Sequence, residues 1–232
     1  MSVPAAPSGL LQRFPHIAVE GPIGVGKSSL AHPLAAHLGA DLLLERAEEN
    51  PFLERFYRDP KTHALQTQIF FLFQRLAQMR ELAQPGMFSR GIVSDFTFAK
   101  DALFAAMNLD DEEYRLYAQI HAQTAQGLPQ PDLVIWLQAE PATLMARIRR
   151  RGIAMEQAVG EDYLSRLCDA YVEHFRSHDG APVLTVVTDD FNPVDRAVDF
   201  AALMAKLVAF DGPKSVLDPA AGTGLRPDVQ GA

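Results

Sequence analysis

The run Gly21-Pro22-Ile23-Gly24-Val25-Gly26-Lys27-Ser28 fits the pattern GxxxxGK[ST] at every specified position, and Ser29 continues it into an apolar segment. In this pattern the glycines let backbone N–H groups close round a row of phosphates, the lysine reaches the outer two, and the hydroxyl holds Mg²⁺. The chemistry requires a strand before the loop and a helix after it. His16-Ile17-Ala18-Val19 reads as a buried strand entering the loop, and Ser29-Leu30-Ala31 through Leu38 as a helix leaving it. Binding of a nucleoside triphosphate follows, with Gly21 through Ser29 on its phosphates and Ser28 on the metal. What receives the phosphate is a separate question.

Two carboxylates are placed to answer it. In an open parallel sheet ligands bind beyond the carboxyl ends of the strands. Glu45 and Asp95 each end an expected strand, so both face the phosphate loop. Transfer from Mg·ATP needs positioning, charge neutralisation and usually a carboxylate that takes the acceptor's proton or holds the metal. Either acid could equally be a solvated strand end. Arg147-Ile148-Arg149-Arg150-Arg151-Gly152 puts four arginines in five residues before a glycine. Such a run is a basic helix terminus favoured by the macrodipole, or a lid that closes over a phosphoryl group. Gln68 and Arg75 stand seven residues apart on a long helical pattern, nearly on one face. They either read a planar, hydrogen-bonding ligand such as a nucleobase or sit on a solvated face.

The elements that must position these groups alternate. Short apolar runs at His16 to Glu20, Asp41 to Glu45, Gly91 to Asp95, Leu133 to Leu137 and Val183 to Val187 are separated by longer helical patterns. That alternation implies an α/β fold, a five-stranded parallel sheet flanked by helices. The longest helical pattern, Thr62 to Gln84, carries Leu65, Ile69, Leu72, Leu76 and Met79 on one stripe. Pro33 falls inside the helix after the phosphate loop and is expected to kink or loosen it. Asn50-Pro51 and Asn192-Pro193 read as helix starts. Residues 1–14 and 212–232, rich in Pro, Gly and Ala, read as flexible tails around one domain at 15–211.

Composition narrows the partners. A net charge of −8 argues against a nucleic-acid or anionic-membrane surface, and no segment has the apolar length of a membrane span. The lone Cys168 rules out an intrachain disulfide and fits a reducing cytoplasm. His174 and His178 have half of a metal-site spacing and no evident third ligand, so they read as packing or surface residues.

The ordered set Glu20 through Ser28, Glu49-Asn50-Pro51-Phe52-Leu53-Glu54-Arg55-Phe56-Tyr57, Gln68 through Arg75, Ser94-Asp95 with Lys100-Asp101, and Arg147 through Gln157 resembles the deoxyribonucleoside kinases, above all their bacterial deoxyadenosine/deoxyguanosine branch. The resemblance spans roughly residues 15–210. It implies a P-loop NTPase-like fold with an arginine-rich lid, ATP as donor with Mg²⁺, and a homodimer packed through the long helix. It implies that Glu45 takes the proton of the nucleoside 5′-hydroxyl, that Tyr57 and Glu156 bind the sugar 3′-hydroxyl, and that Gln68 reads the base edge. Arg75 and Asp101 match an arginine and aspartate that sit together by the base in purine- and cytosine-accepting members; thymidine-specialised members lack the aspartate, so Asp101 implies a base other than thymine. Lys27, Arg147 and Arg151 match phosphate contacts, and Asp95 a carboxylate serving catalysis, substrate and Mg²⁺.

The chain departs from the pattern twice. Animal members end the third strand in Glu-Arg-Ser, where this chain has Asp95-Phe96-Thr97, so Lys100 or Arg46 is expected to replace the missing positive charge. Ile153 stands where many members have a further lid arginine, leaving Arg149 or Arg150 to share that work. The competing functions are a nucleoside monophosphate kinase, which would need arginines for the acceptor's own phosphate, and a nucleotide-controlled binding protein.

Overall fold

The computed structural model describes residues 9–82 and 91–222. A four-residue helix α1 (Leu10–Arg13) leads into strand β1 (His16–Glu20), the phosphate loop and helix α2 (Lys27–Leu38). Strand β2 (Asp41–Leu43) is followed by α3 (Leu53–Arg58), α4 (Pro60–Leu82), β3 (Ile92–Ser94), α5 (Lys100–Asn108), α6 (Asp111–Thr124) and β4 (Leu133–Gln138). Then come α7 (Pro141–Arg151), α8 (Glu161–Arg176), β5 (Val183–Val187), α9 (Ala197–Val208) and β6 (Lys214–Leu217).

One sheet results, in the order β2-β3-β1-β4-β5-β6 with every neighbouring pair parallel. The alternation along β4 shows why helices must cover both faces. Leu133, Ile135 and Leu137 enter one core with Ile17, Val19, Leu34 and Leu184, while Val134 and Trp136 enter another with Leu167, Tyr171 and Phe175. A third core joins Leu72, Leu76 and Met79 of α4 to Phe96, Phe98, Ala105 and Tyr117.

Several expectations need correction. The sheet has six strands, the sixth inside the stretch expected as a tail. Lys214–Leu217 pairs with β5, alternately exposed and half-buried, and so short a run opening on Lys-Ser carries little apolar pattern. The fold also begins before residue 15. Leu10 and Phe14 belong to the main core, and Phe14 meets Phe210 edge-on at 6.1 Å. Residues 1–8 and 223–232 of the expected tails, and Gln84 of the expected long helix, lie outside the described residues.

Helix α2 runs unbroken through Pro33. The missing N–H deprives only the Ser29 carbonyl, one turn back. Asn50 accepts from the Phe52 N–H at 3.0 Å, just ahead of α3. Asn192 accepts from Val194 and Asp195 N–H but starts a turn, and α9 begins only at Ala197. On α4 the buried face is rotated from the expected stripe. It takes Leu72, Leu76 and Met79 together with Gln68 and Arg75, and leaves Leu65 and Ile69 half-buried.

Strands β2 and β3 end earlier than expected, for a reason that bears on function. The Asp95 carboxylate accepts the Glu45 N–H at 2.7 Å, so a side chain takes over from the sheet ladder at the strand ends.

Candidate active site

The phosphate loop is shaped by close approach. A Cβ at Gly24, where φ is +84°, would lie 2.8 Å from Ile148 Cγ1 and 3.0 Å from the Leu144 carbonyl of α7. Backbone therefore packs directly under the arginine-bearing helix. Lys27 opens α2, and its ammonium donates to the Gly21 and Pro22 carbonyls at 2.8 and 3.1 Å. Burial, helped by the like charge of Lys100, lowers its pKa to about 8. Val25 is buried in the core and Ile23 packs against it, which anchors the loop from below.

Glu20, the last residue of β1, fixes this loop against the rest of the site. Its buried carboxylate accepts the Gly21 N–H at 3.0 Å, the Thr97 N–H at 2.8 Å, the Thr97 hydroxyl at 3.1 Å and the Tyr171 hydroxyl at 2.8 Å. A carboxylate with four donors ties together the phosphate loop, the segment after β3, and α8.

The expected metal ligands meet. The Ser28 hydroxyl donates to Asp95 Oδ2 at 2.5 Å, and Asp95 Oδ1 holds the Glu45 N–H. Burial raises the Asp95 pKa above the ordinary carboxylate value. One hydroxyl and one carboxylate are hard oxygen donors, the sparse set suited to Mg²⁺ carrying waters and nucleotide phosphates. Among the described residues no cluster of three or more His, Cys, Asp and Glu could enclose a metal.

Glu45 is the centre of the opposite wall. Its Oε1 accepts from Arg75 Nε at 2.8 Å and from Nη2 at 2.5 Å, and its Oε2 accepts from the Lys100 ammonium at 2.7 Å. Burial alone would raise its pKa, but the charges of Arg75 and Lys100 outweigh this and hold it well below the carboxylate range. Arg75 also donates through Nη1 to Asp101. Gln68, Arg75 and Asp101 are 2%, 2% and 0% exposed, which removes the alternative of polar residues on a solvated face. Gln68 Oε1 and Asp101 Oδ2 are buried without a protein partner, as acceptors facing a ligand would be. The Asp101 pKa is raised by burial against the pull of Arg75.

Tyr57, on α3, is half-buried, and its electrostatic neighbours are Tyr163, Glu156, Glu45 and Arg151; burial above all pushes its pKa up. Glu156 lies on a short helical turn after α7 and is paired with Arg151. The arginine expected in the lid and the carboxylate expected at the sugar are thus in contact. Arg147 lines the cleft at the phosphate loop. Its guanidinium bridges the Val25 carbonyl, at 3.3 Å, and the Thr188 hydroxyl, at 3.0 Å, and so ties the loop to the end of β5. Arg150 lines a cleft of about 250 Å³ together with Gly26, Arg151, Thr188, Phe191 and Asn192, whereas Arg149 points to solvent. Thr188, Phe191 and Glu20 are absent from the expected site. Thr188 carries the same signal as Glu45 and Asp95, a polar residue just past a strand, and Glu20 ends β1.

Arg46 faces Glu49 at the surface, 3.7 Å away, and does not reach Glu45. Phe96 is wholly buried among Leu72, Leu76 and Met79. His174 and His178 lie 5.7 Å apart against Phe175. Burial pushes the Cys168 thiol up to about 11, away from reactivity. No helix among the described residues is long and apolar enough to cross a membrane.

With this geometry in hand, comparisons with known proteins agree. A family model described as deoxynucleoside kinase matches residues 17–210. The chain is 32% identical over 184 residues to a deoxyguanosine kinase of Bacillus subtilis, covering 78% of this chain and 88% of that one. It is 32% identical over 187 residues to a deoxyadenosine kinase of Lactobacillus acidophilus, covering 75% and 85%. A solved structure of deoxyadenosine kinase from M. mycoides with bound dATP superimposes with a TM-score of 0.72 at 27% identity, over 83% of this chain and 99% of that one.

Proposed function

The chain belongs to the deoxynucleoside kinase family, and from that premise and the site's geometry we propose that it transfers the γ-phosphoryl group of ATP to the 5′-hydroxyl of a purine deoxyribonucleoside, deoxyadenosine or deoxyguanosine, giving the 5′-monophosphate and ADP. The observation that carries the reading is the convergence of Lys27, Asp95 and Glu45 at three adjacent strand ends, with Arg75 and Asp101 buried behind Glu45.

Phosphoryl transfer asks mainly for positioning and charge stabilisation. The amides of Gly21 through Ser29 and the Lys27 ammonium cradle the donor phosphates. The cleft at Thr188 and Phe191 takes the rest of the donor nucleotide. Ser28 and Asp95 would hold Mg²⁺, which when bound neutralises charge on the phosphates. Arg151 and Arg150 reach the phosphates from the lid, and Arg147 braces the loop beneath them. Glu45, a carboxylate throughout the working pH range, accepts the 5′-hydroxyl hydrogen bond and then its proton. Its low basicity delays that proton until the new O–P bond has acidified the hydroxyl. Tyr57 and Glu156 hold the sugar 3′-hydroxyl, and Gln68 and Asp101 meet the base.

A second copy of the chain would cover the outer face of α4. Phe73 is 52% exposed there, and with Phe52, Ile69 and Phe70 it lines a hollow of about 600 Å³. The lone thiol and the net charge of −8 fit a cytoplasmic enzyme without a nucleic-acid partner.

ATP turnover with deoxyadenosine, with deoxyadenosine monophosphate and with no acceptor tests the proposal. Formation of the monophosphate from deoxyadenosine is expected. Turnover only with the monophosphate would move the assignment to a nucleoside monophosphate kinase, and nucleotide binding with no phosphorylated product would make the chain a switch.

A further inference from the structure

Lys100 is the first residue of α5, and its side chain is 6% exposed. Both facts are unfavourable for an ammonium. A helix N-terminus repels a cation, and withdrawal from water forfeits hydration. Lys27 is a further cationic neighbour. Arg75 gives Glu45 Oε1 two donors but shares its charge with Asp101. What Lys100 adds is a donor to the other oxygen, at 2.7 Å, so the carboxylate is gripped from α4 and from α5 at once. Its ammonium lies 5.6 Å from the Phe104 ring centre, one turn along, which limits where it can swing.

The neighbouring positions exclude a substitute. Phe96, immediately after Asp95, is buried in the α4–α5 core, and Arg46 is engaged with Glu49 at the surface. We infer that Lys100 is a positioning residue that holds the Glu45 carboxylate, through Oε2, in the orientation that receives the 5′-hydroxyl. This inference rests on the kinase reaction proposed above.

Lys100→Met, Lys100→Arg, Glu45→Gln and the Lys100→Met/Glu45→Gln double variant, assayed in the full chain with ATP and deoxyadenosine, test it. Lys100→Met should lower kcat by roughly 10²-fold with both KM values within about threefold of wild type, and Lys100→Arg should recover roughly tenfold of that loss. The melting temperature of Lys100→Met should fall, because Glu45 Oε2 loses its buried donor, and Lys100→Arg should restore it, so the kcat comparison is made well below both midpoints. In the double variant the added loss over Glu45→Gln should be no more than about threefold, since groups acting as a unit are not additive. Turnover of Lys100→Met within about threefold of wild type would overturn the inference. So would losses that multiply in the double variant, which would put the ammonium on the transferring phosphoryl group rather than on Glu45. A wild-type protein that phosphorylates no deoxyribonucleoside would overturn the kinase reading itself, an outcome distinct from an active enzyme indifferent to Lys100.

Discussion

Between Gly21 and Ser28 the contacts offered to a ligand come from the main chain and one lysine, whereas across the cleft Arg75, Glu45, Lys100 and Asp101 meet through buried side-chain charges. The arginines flanking the loop are also wetter: Arg151 is 45% exposed, against 2% for Arg75. The difference follows from what each side must recognise. Phosphates are the same in every triphosphate and are held by N–H groups that any sequence with the right glycines can present. A nucleoside has one hydroxyl to be activated and one base edge to be read, and groups that discriminate must be fixed and dry. Fixing buried charges makes each depend on its partner.

The largest effect that would break this contrast is on stability. Arg75→Met leaves Asp101 without its cation and Glu45 with Lys100 alone, and should destabilise the protein by about 3–5 kcal/mol in denaturant unfolding. Arg151→Met, on the exposed side, should change stability by less than about 1 kcal/mol. Equal losses would mean that the two sides do not differ in kind.

A smaller effect is expected from pH. With the Lys27 pKa lowered to about 8 in the free protein, chiefly by burial, the ammonium is present below that pH and lost above it. Binding phosphates above it requires proton uptake, so ATP affinity should fall as pH rises, by about tenfold between pH 7 and 9. Deoxyadenosine affinity should stay level over the same range, because Glu45 is held far below it. Titration calorimetry in two buffers would report both the affinities and the proton uptake. A level ATP affinity would remove Lys27 as the titrating contact.

Smallest is the change at the base. Gln68→Ala removes a buried amide whose Oε1 has no protein partner; if it meets the base as proposed, the loss is about 1 kcal/mol and should raise the nucleoside KM several-fold with kcat nearly kept. An unchanged preference among deoxyadenosine, deoxyguanosine and deoxycytidine would place the base elsewhere.

The same contrast governs how much of the molecule was legible in its sequence. The phosphate loop is local, eight consecutive residues between a strand and a helix, and its pattern alone predicts the geometry observed. Strands β1, β3, β4 and β5 were legible as short apolar runs, and the edge strand β2 by Leu42 and Leu43, although it is only partly buried. Strand β6 was not, since an edge strand beginning Lys-Ser gains its order from pairing with Val183–Val187 rather than from its own pattern. The acceptor wall is assembled from the ends of β2, α4 and α5, with partners 30 and 55 residues apart. Position in the chain gave Glu45 by the strand-end rule and spacing gave Gln68 and Arg75 with a solvated face as the alternative, but Asp101 was legible only through resemblance, because a buried ion pair on a helix looks in sequence like a solvated one. The burial of Gln68 and Arg75 on the apolar face of α4 is a tertiary choice. The partners of Arg147 could not be read either, since they depend on how α7 meets the end of β5.

The most direct test of the account is the single-turnover rate of phosphoryl transfer by Glu45→Gln, with ATP and deoxyadenosine both saturating. The amide keeps shape and loses the charge that accepts the proton. The rate should fall by roughly 10²- to 10⁴-fold while affinity for a non-hydrolysable ATP analogue is nearly unchanged. A rate near that of the wild type, or a loss of nucleotide binding equal to the loss of rate, would contradict a site in which the phosphate loop holds the donor and Glu45 activates the acceptor.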